Sequence, residues 1–335
     1  MRFSCLSFDL IQARIGHLCS TADGRLALAN CYSLRAMIKP HISVCICTYR
    51  RPEYLKRLLL ALSLQDTGDR FTYSIVVADN DYLRSAEVVV ADFAVASRIP
   101  IRYCVEPQQN IPLARNKAVM NAEGDFVAFI DDDEFPIKHW LAFLFKTLEE
   151  HKVDGVLGPV KPHFDAPPPR WVVEGRFHDR PTHRTGLRLD WNYCRTGNVL
   201  LRSQVFAQEA QPFRPQCLSG EDQDFFRRII EKGRTVVWCN EAVVYEVVPP
   251  ARWKRGFLVK RALLRGVFSL RNHGFPPVRI LQSVIAAPSY AAALPVALVL
   301  GQAKFMRCMF QFSFHLGRLL ALVGVNPIKQ PYITD

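Results

Sequence analysis

Between residues 42 and 160 the chain alternates short β-rich runs with helix-length segments, a rhythm that few architectures accept. Residues 42–48 read as a strand, and residues 52–64 as a helix with Pro52 near its first turn. Residues 73–78, 101–105, 126–130 and 155–160 read as further strands, and 85–96, 111–122 and 139–150 as helices. Strands and helices that alternate through short loops predict a mostly parallel sheet covered by helices, an α/β chain of Rossmann-like type. In such sheets the ligand crevice lies outside the carboxyl ends of the strands.

One strand ends in an unusual way. The apolar run Phe126-Val127-Ala128-Phe129-Ile130 leads straight into Asp131-Asp132-Asp133-Glu134. Adjacent carboxylates repel one another, and a cation relieves that repulsion. Oxygen-only ligands suit Mg²⁺ or Mn²⁺, which bridge one or two carboxylates to substrate phosphates. Taken alone, the same run also suits a solvated acidic loop.

The formal charge of +12 has a definite location. From Val247 to Thr334 there are twelve Lys or Arg and no acid, so the preceding 246 residues, with 31 basic and 30 acidic side chains, are close to neutral. A nucleic-acid partner would therefore have to rest on the tail alone, and none is expected. Ten cysteines are scattered without a Cys-x-x-Cys pair, which predicts buried thiols in a reducing compartment and no structural zinc. Cys45 and Cys47 should share one strand face. Residues 1–36 carry Arg2, Asp9, Arg14 and Asp23, lack an apolar signal core, and read as an extension ahead of a start at Met37. The stretch 161–195, with Pro167-Pro168-Pro169, is expected to be an irregular binding loop or lid. Regularity returns at 197–202, in the helix 221–231, and in strands 235–238 and 242–248.

Five motifs in fixed order carry a family resemblance. They are Ile42-Ser43-Val44-Cys45-Ile46-Cys47-Thr48-Tyr49-Arg50-Arg51-Pro52, Val76-Val77-Ala78-Asp79-Asn80-Asp81, Ala114-Arg115-Asn116, the acidic run, and Gly220-Glu221-Asp222. With them the chain, over roughly residues 42–265, resembles a family 2 glycosyltransferase. More narrowly, the acidic run, Thr196-Gly197-Asn198-Val199-Leu200 and the helix start from Gly220 to Phe226 resemble bacterial exopolysaccharide glycosyltransferases of the succinoglycan type.

The resemblance implies a GT-A fold, a nucleotide-sugar donor (UDP-linked, with glucose as the sugar), Mg²⁺ or Mn²⁺, and inversion at the anomeric carbon. It places Asp79 on the nucleobase, although an Asp before Asn80-Asp81 also suits a turn. Thr48 and Tyr49 fall beside that pocket, and Arg115 would meet the diphosphate. The family's Asp-x-Asp pattern maps onto Asp131, near the ribose, and Asp133, on the metal. Strand alternation does not decide which of Asp131, Asp132 and Asp133 turns inward, so Asp132 remains a donor-site candidate. Asp222 would be the catalytic base and Glu221 an acceptor contact; as a plain helix start, both acids would also favour the helix dipole. Two departures matter. Glu246 stands where many members carry a metal-reaching His. Arg252-Trp253 follows Pro249 where processive members have Gln, which predicts transfer of a single sugar.

The tail, residues 251–335, reads as a basic, apolar, helical membrane-associating region after a catalytic domain at 41–250. Seven basic residues between 252 and 271 alternate with apolar ones, as in a membrane-surface helix. The 24 residues 280–303 are uncharged and long enough to span a bilayer, but Pro288 and Pro295 are expected to interrupt them. Lys304, Arg307, Gln311, His315 and Arg318 form one polar stripe, suited to a helix lying in the membrane surface. The alternative is that these helices pack on the catalytic domain. The resemblance implies a polyprenyl-diphosphate-linked glycan acceptor, and hence a site on the cytoplasmic face of the plasma membrane, peripheral or shallowly inserted. Two rival readings are a metal-dependent nucleotidyltransferase, which would want a glycine-rich phosphate loop where residues 48–52 have no glycine, and a silent scaffold, against which the full set of acids argues.

Overall fold

In β1 (His41–Thr48), Ile42, Val44 and Ile46 enter one apolar core while Cys45 enters another. That two-residue period is the organising fact of the molecule, because each strand feeds a core on either side of the sheet. The structure, a computed structural model, describes residues 39–325 apart from 208, 218–219 and 272–275. The expected N-terminal extension and the start at Met37 lie outside the described residues.

The other strands are β2 (Thr72–Asp79), β3 (Ile101–Val105), β4 (Phe126–Ile130), β5 (Glu134–Pro136), β6 (Gly155–Leu157), β7 (Val160–His163), β8 (Asn198–Arg202), β9 (Val236–Trp238) and β10 (Val244–Val247). Helices α1 (Pro52–Ser63), α2 (Glu87–Ala96), α3 (Ile111–Met120) and α4 (Trp140–His151) separate the early strands. They are followed by α5 (Arg170–Gly175), α6 (Glu221–Glu231), α7 (Arg255–Arg271), α8 (Pro277–Val299) and α9 (Gln302–Leu322).

Seven strands form the main sheet in the order β3-β2-β1-β4-β8-β6-β9, and only β8 runs against its neighbours. On one face, Leu55, Leu58, Leu59 and Leu62 of α1 join Trp140, Leu144 and Leu148 of α4. On the other, Ala118 of α3 and Phe225, Phe226 and Ile229 of α6 close over Val127, Phe129 and Val199. Each fully buried Leu or Phe contributes about 1.5–3 kcal/mol. A second sheet, β5-β10-β7, sits beside the first.

The chain order reverses at β1, whose neighbours are β2 and β4. The carboxyl ends of β1, β2 and β4 therefore open the crevice, and they deliver Thr48, Asp79 and Asp131 to it. Antiparallel β8 brings its amino end to the same place, since Asn198 pairs with Ile130.

The structure departs from the sequence reading at four places. Residues 155–160 are two strands in two sheets, broken at Gly158, where a Cβ would meet the Asn198 side chain at 2.6 Å. Residues 161–195 are not wholly irregular: they continue β7 and start α5 directly after Pro169, because proline, costly inside a helix, is tolerated at the residue before one. The acidic run flows into the short strand β5, which its charge disguised. Finally, α8 runs through Pro288 and Pro295 as one helix of 23 residues, long and apolar enough to cross a membrane.

The helix α9 lies against α7 with backbone touching backbone. A Cβ on Gly266 would strike the carbonyl oxygen of Phe314, and one on Gly317 that of Leu263. Of the polar stripe on α9, His315 and Arg318 turn partly inward while Lys304, Arg307 and Gln311 stay exposed, and three of the five meet neighbouring segments. Arg307 donates to the carbonyls of Gly175 (3.0 Å) and Glu174 (3.2 Å), His315 meets Ser283 at 3.1 Å, and Arg318 donates to Ser269 Oγ at 2.9 Å. The other side of α8 exposes Val278, Leu281, Val284 and Ile285.

Candidate active site

At the end of β2, Asp79 is fully buried, and its carboxylate accepts from Asp81 N (3.1 Å), Ala86 N (2.8 Å) and Tyr103 Oη (2.8 Å). These bonds form a turn of the kind that Asp-Asn-Asp suggests. Asn80 adds to it, donating to the carbonyls of Glu106 and Gln108 and accepting from Asn110 N at 2.9 Å. Thr48 gives its hydroxyl to Asp132 Oδ2 at 2.8 Å. Tyr49 is half-buried, and the Arg50 guanidinium lies 5.1 Å from its ring centre.

The three aspartates point in different directions. Asp131 opens into the crevice, with 46 % of its side chain exposed, and meets Arg115 at 3.9 Å. Asp132 is buried against Thr48 and Arg51 (3.4 Å). Burial outweighs both partners and lifts its pKa to about 6. Asp133 pairs with Arg252 (3.2 Å) and Arg51 (3.5 Å). Burial, then Glu246 and Asp132, raise it to about 7 against the pull of Arg252.

Glu246 in β10 pairs with Arg180 and, at 3.1 Å, with Arg252, so Arg252 bridges Asp133 and Glu246. Burial opposes ionisation of Glu246, but Arg180, Arg252 and Arg261 together hold it below its ordinary range. Trp253 braces this turn by donating to Val248 O at 3.1 Å.

The Ala114-Arg115-Asn116 motif works chiefly within the protein. Asn110 caps α3 by accepting from Leu113 N at 3.1 Å, and Asn116 ties down Phe213 through two backbone hydrogen bonds of 2.7 and 2.9 Å. Arg115 is buried and ion-paired to Glu221. Burial disfavours its charge, but Glu221 and Asp131 more than compensate and raise its pKa. Arg115 therefore links the acid after β4 to the start of α6, and Glu221 is engaged by it rather than facing the cleft.

Beside Glu221, Asp222 is partly exposed and lines a cleft of about 460 Å³ together with Arg115, Asp131 and Gly197. Burial and the Glu221 charge raise its pKa to about 6, while Arg195 and Arg115 pull it down. The glycine has a reason to be there: a Cβ on Gly197 would lie 2.8 Å from Glu134 Oε1 and 3.0 Å from Asp131 Oδ2. Its neighbour Asn198 accepts from Trp140 Nε1 at 2.8 Å and donates to the carbonyls of Pro159 and Ala242.

Whether these residues suit a divalent cation turns on their donor chemistry. Among the described residues, no three His, Cys, Asp or Glu side chains converge as a complete ligand set. A nucleotide-bound Mg²⁺ or Mn²⁺ needs only one or two carboxylates, with phosphate and water completing the shell. Asp131 is open to the cleft, and buried Glu134 Oε1 beside it has no hydrogen-bond partner. The set fits such a cation on the Asp131 side, while Asp133 would exchange Arg252 for it.

Sequence reasoning missed the basic wall of the cleft, Arg180, Arg195, Arg261 and Arg265. Arg180 and Arg195 come from the stretch read as irregular and Arg261 and Arg265 from the helix read as membrane-facing, so no local motif marked them.

A crevice at the strand-order reversal, acids after β4 and an acid-led helix opposite them occur together on the mixed sheet of the GT-A glycosyltransferases, the class to which this fold corresponds. The mannosyltransferase PcManGT from Pyrobaculum calidifontis, solved with GDP-Man and Mn²⁺, shares the fold with a TM-score of 0.59 at 17% identity, over 84% of this chain and 88% of its own. The chain belongs to glycosyltransferase family 2: residues 43–208 match the model described as Glycosyl transferase family 2. It is 32% identical over 299 residues to the succinoglycan biosynthesis protein ExoM of Rhizobium meliloti, covering 87% of this chain and 95% of that protein. It is also 25% identical over 209 residues to the glycosyltransferase AglE of Haloferax volcanii, covering 61% of this chain and 66% of that one.

Proposed function

We propose that this glycosyltransferase moves a single sugar, with inversion, from a UDP-linked donor to a lipid-linked glycan acceptor in exopolysaccharide assembly. The observation that carries this reading is the placement of Asp222 across one cleft from Asp131, with a pKa near 6. A carboxylate of that pKa is ionised at neutral pH yet basic enough to take a proton, as a general base must.

In this reading Asp222 removes the proton from the acceptor hydroxyl as that oxygen displaces the nucleotide from the anomeric carbon. Arg115 holds Glu221 and so fixes the start of α6, which sets the direction of Asp222. The ends of β1 and β2, whose turn Asp79 holds, form the nucleoside end of the cleft, and Arg180 and Arg261 face the phosphates. Asp131 and Asp133 would hold Mg²⁺ or Mn²⁺, which would neutralise charge on the departing nucleotide. The exposed apolar side of α8 and the basic residues of α7 support work at the cytoplasmic membrane surface, close to a lipid-linked acceptor.

Calorimetric titration of UDP, with and without Mn²⁺, tests the donor half. Binding that needs Mn²⁺ and falls at least tenfold in Asp133→Ala is the expected result. Equal binding with and without metal would remove the metal from the reading, and no UDP binding to folded protein would remove the donor.

A further inference from the structure

Behind Asp222, away from Asp131, lies a second chamber of about 510 Å³, and four arginines from four segments reach it. Arg195 comes from the loop before β8, Arg265 from α7, Arg279 from α8 and Arg318 from α9. Among the described residues Asp222 is the only acid that lines it. By contrast, the buried Arg115 and Arg228 have carboxylate partners, Glu221 for the first and Glu209 and Asp224 for the second, and Arg252 has Asp133 and Glu246. None of the chamber's four arginines makes a salt bridge among the described residues.

Neutral groups hold three of them in place instead. Arg195 donates to the carbonyls of Asn192 (3.0 Å) and Cys194. Arg279 donates to Ser269 O at 3.3 Å, and Arg318 to Ser269 Oγ at 2.9 Å while stacking 4.5 Å from the Phe314 ring centre. Burial, then Arg195 and Arg180, depress the Arg265 pKa, as expected where like charges gather without an acid. Fixed guanidinium forks without carboxylates match the oxygens of a phosphate ester, which bind two at a time.

We infer that this chamber is an acceptor subsite, in which Arg195, Arg265, Arg279 and Arg318 hold the phosphate or diphosphate group that joins the acceptor glycan to its lipid. The inference rests on the proposed base role of Asp222 and deepens it. The nucleotide's phosphates lie on the Asp131 side of the base and the acceptor's on the other, with the attacking hydroxyl between them. Phe268 and Phe314 line the chamber, and α8, which supplies Arg279, exposes Val278, Leu281 and Ile285. An apolar tail leaving the phosphate therefore has a surface to follow into the bilayer.

The test uses the full chain and geranylgeranyl diphosphate as probe, titrated in the presence of saturating UDP. One-to-one binding that weakens at least tenfold in the double variant Arg279→Gln/Arg318→Gln, with Arg318→Lys retaining most of it, is expected. Binding abolished by UDP would place the probe in the donor site and overturn the inference, as would unchanged affinity in a double variant that melts like the parent. No turnover is needed, so this result stands apart from failure of the transferase reading itself. A second arm measures transfer to one glycan carried either on a prenyl diphosphate or on an uncharged alkyl chain. The double variant should lower the kcat/KM ratio between them at least tenfold, and equal losses on both would overturn the inference. In a third arm, vesicles with and without phosphatidylglycerol are compared. A loss confined to phosphatidylglycerol vesicles would make the arginines a headgroup site and overturn the acceptor assignment.

Discussion

The acids that follow β4 and the arginines that converge from α7, α8 and α9 pose opposite electrostatic problems, and the chain solves only the first. Asp131, Asp132 and Asp133 each meet an arginine, and Glu246 meets two. Of the four arginines behind Asp222, three meet neutral oxygens and none meets a carboxylate in a salt bridge among the described residues. One region is compensated by its own side chains except at Glu134 Oε1, and the other retains an unbalanced charge. Stability should therefore depend on arginines in the first region, and ligand recognition on arginines in the second.

The sharpest way to probe the boundary between the regions is Asp222, which borders both. Asp222→Asn keeps the shape and removes the base. Transfer should fall about 10²–10⁴-fold, while UDP binding stays near that of the parent; initial rates and calorimetry on one preparation check both. Retained transfer would remove Asp222 as the base.

Next in size is a pair of arginine deletions that sets one region against the other. Arg115→Gln strands Glu221, a buried carboxylate, and should destabilise the fold by about 3–5 kcal/mol. Arg265→Gln strands no acid and relieves repulsion from Arg195 and Arg180, so stability should hold or rise slightly. Urea unfolding of the two variants gives the comparison directly, and equal destabilisation would erase the distinction.

The contrast also explains how much could be read from the sequence. Strand alternation at Ile42, Val44 and Ile46, and the β4 run into Asp131, are local patterns that the sheet imposes, so the fold and the acids could be read directly. Arg115 and Asp222 could be found because each sits in a short motif at a helix start. Their environments could not: that Arg115 serves Glu221, or that Arg252 bridges Asp133 and Glu246, depends on segments more than 100 residues apart. The arginine chamber was harder still, because Arg265 and Arg318 read as the polar side of surface helices and Arg279 belongs to no motif. The tight α7–α9 contact at Gly266 and Gly317 brings Arg265 and Arg318 to one chamber.

That contact supplies the third prediction. Gly266 follows Arg265, Gly317 precedes Arg318, and each glycine faces a backbone carbonyl of the other helix. Gly317→Leu must push the helices apart, and overpacking of this kind costs about 1–3 kcal/mol. It should also separate Arg265 from Arg318 and weaken binding of geranylgeranyl diphosphate, with UDP affinity unchanged. Loss of both together would mean that the helices support the whole domain rather than the chamber.

The smallest effect is in pH. The Asp222 pKa is raised from 3.8 to about 6, so between those values the folded state binds a proton that the unfolded state has released. Stability must then gain a contribution as pH falls through 6 toward 4 and lose it as pH rises through the same window. Transfer moves the other way, because only the ionised carboxylate accepts a proton, so the rate should climb through an apparent pKa near 6. Asp222→Asn has no such titration. At pH 7 it should melt higher than the parent by about 1–2 °C, the shift that roughly 1 kcal/mol produces in a chain of this size. By pH 4 the two curves should meet, since the parent is then protonated and neutral at the same position. Paired melts at pH 4 and pH 7 measure the difference. A variant that melts below its parent at pH 7 would show that the ionised carboxylate supports the fold, which is incompatible with a raised pKa.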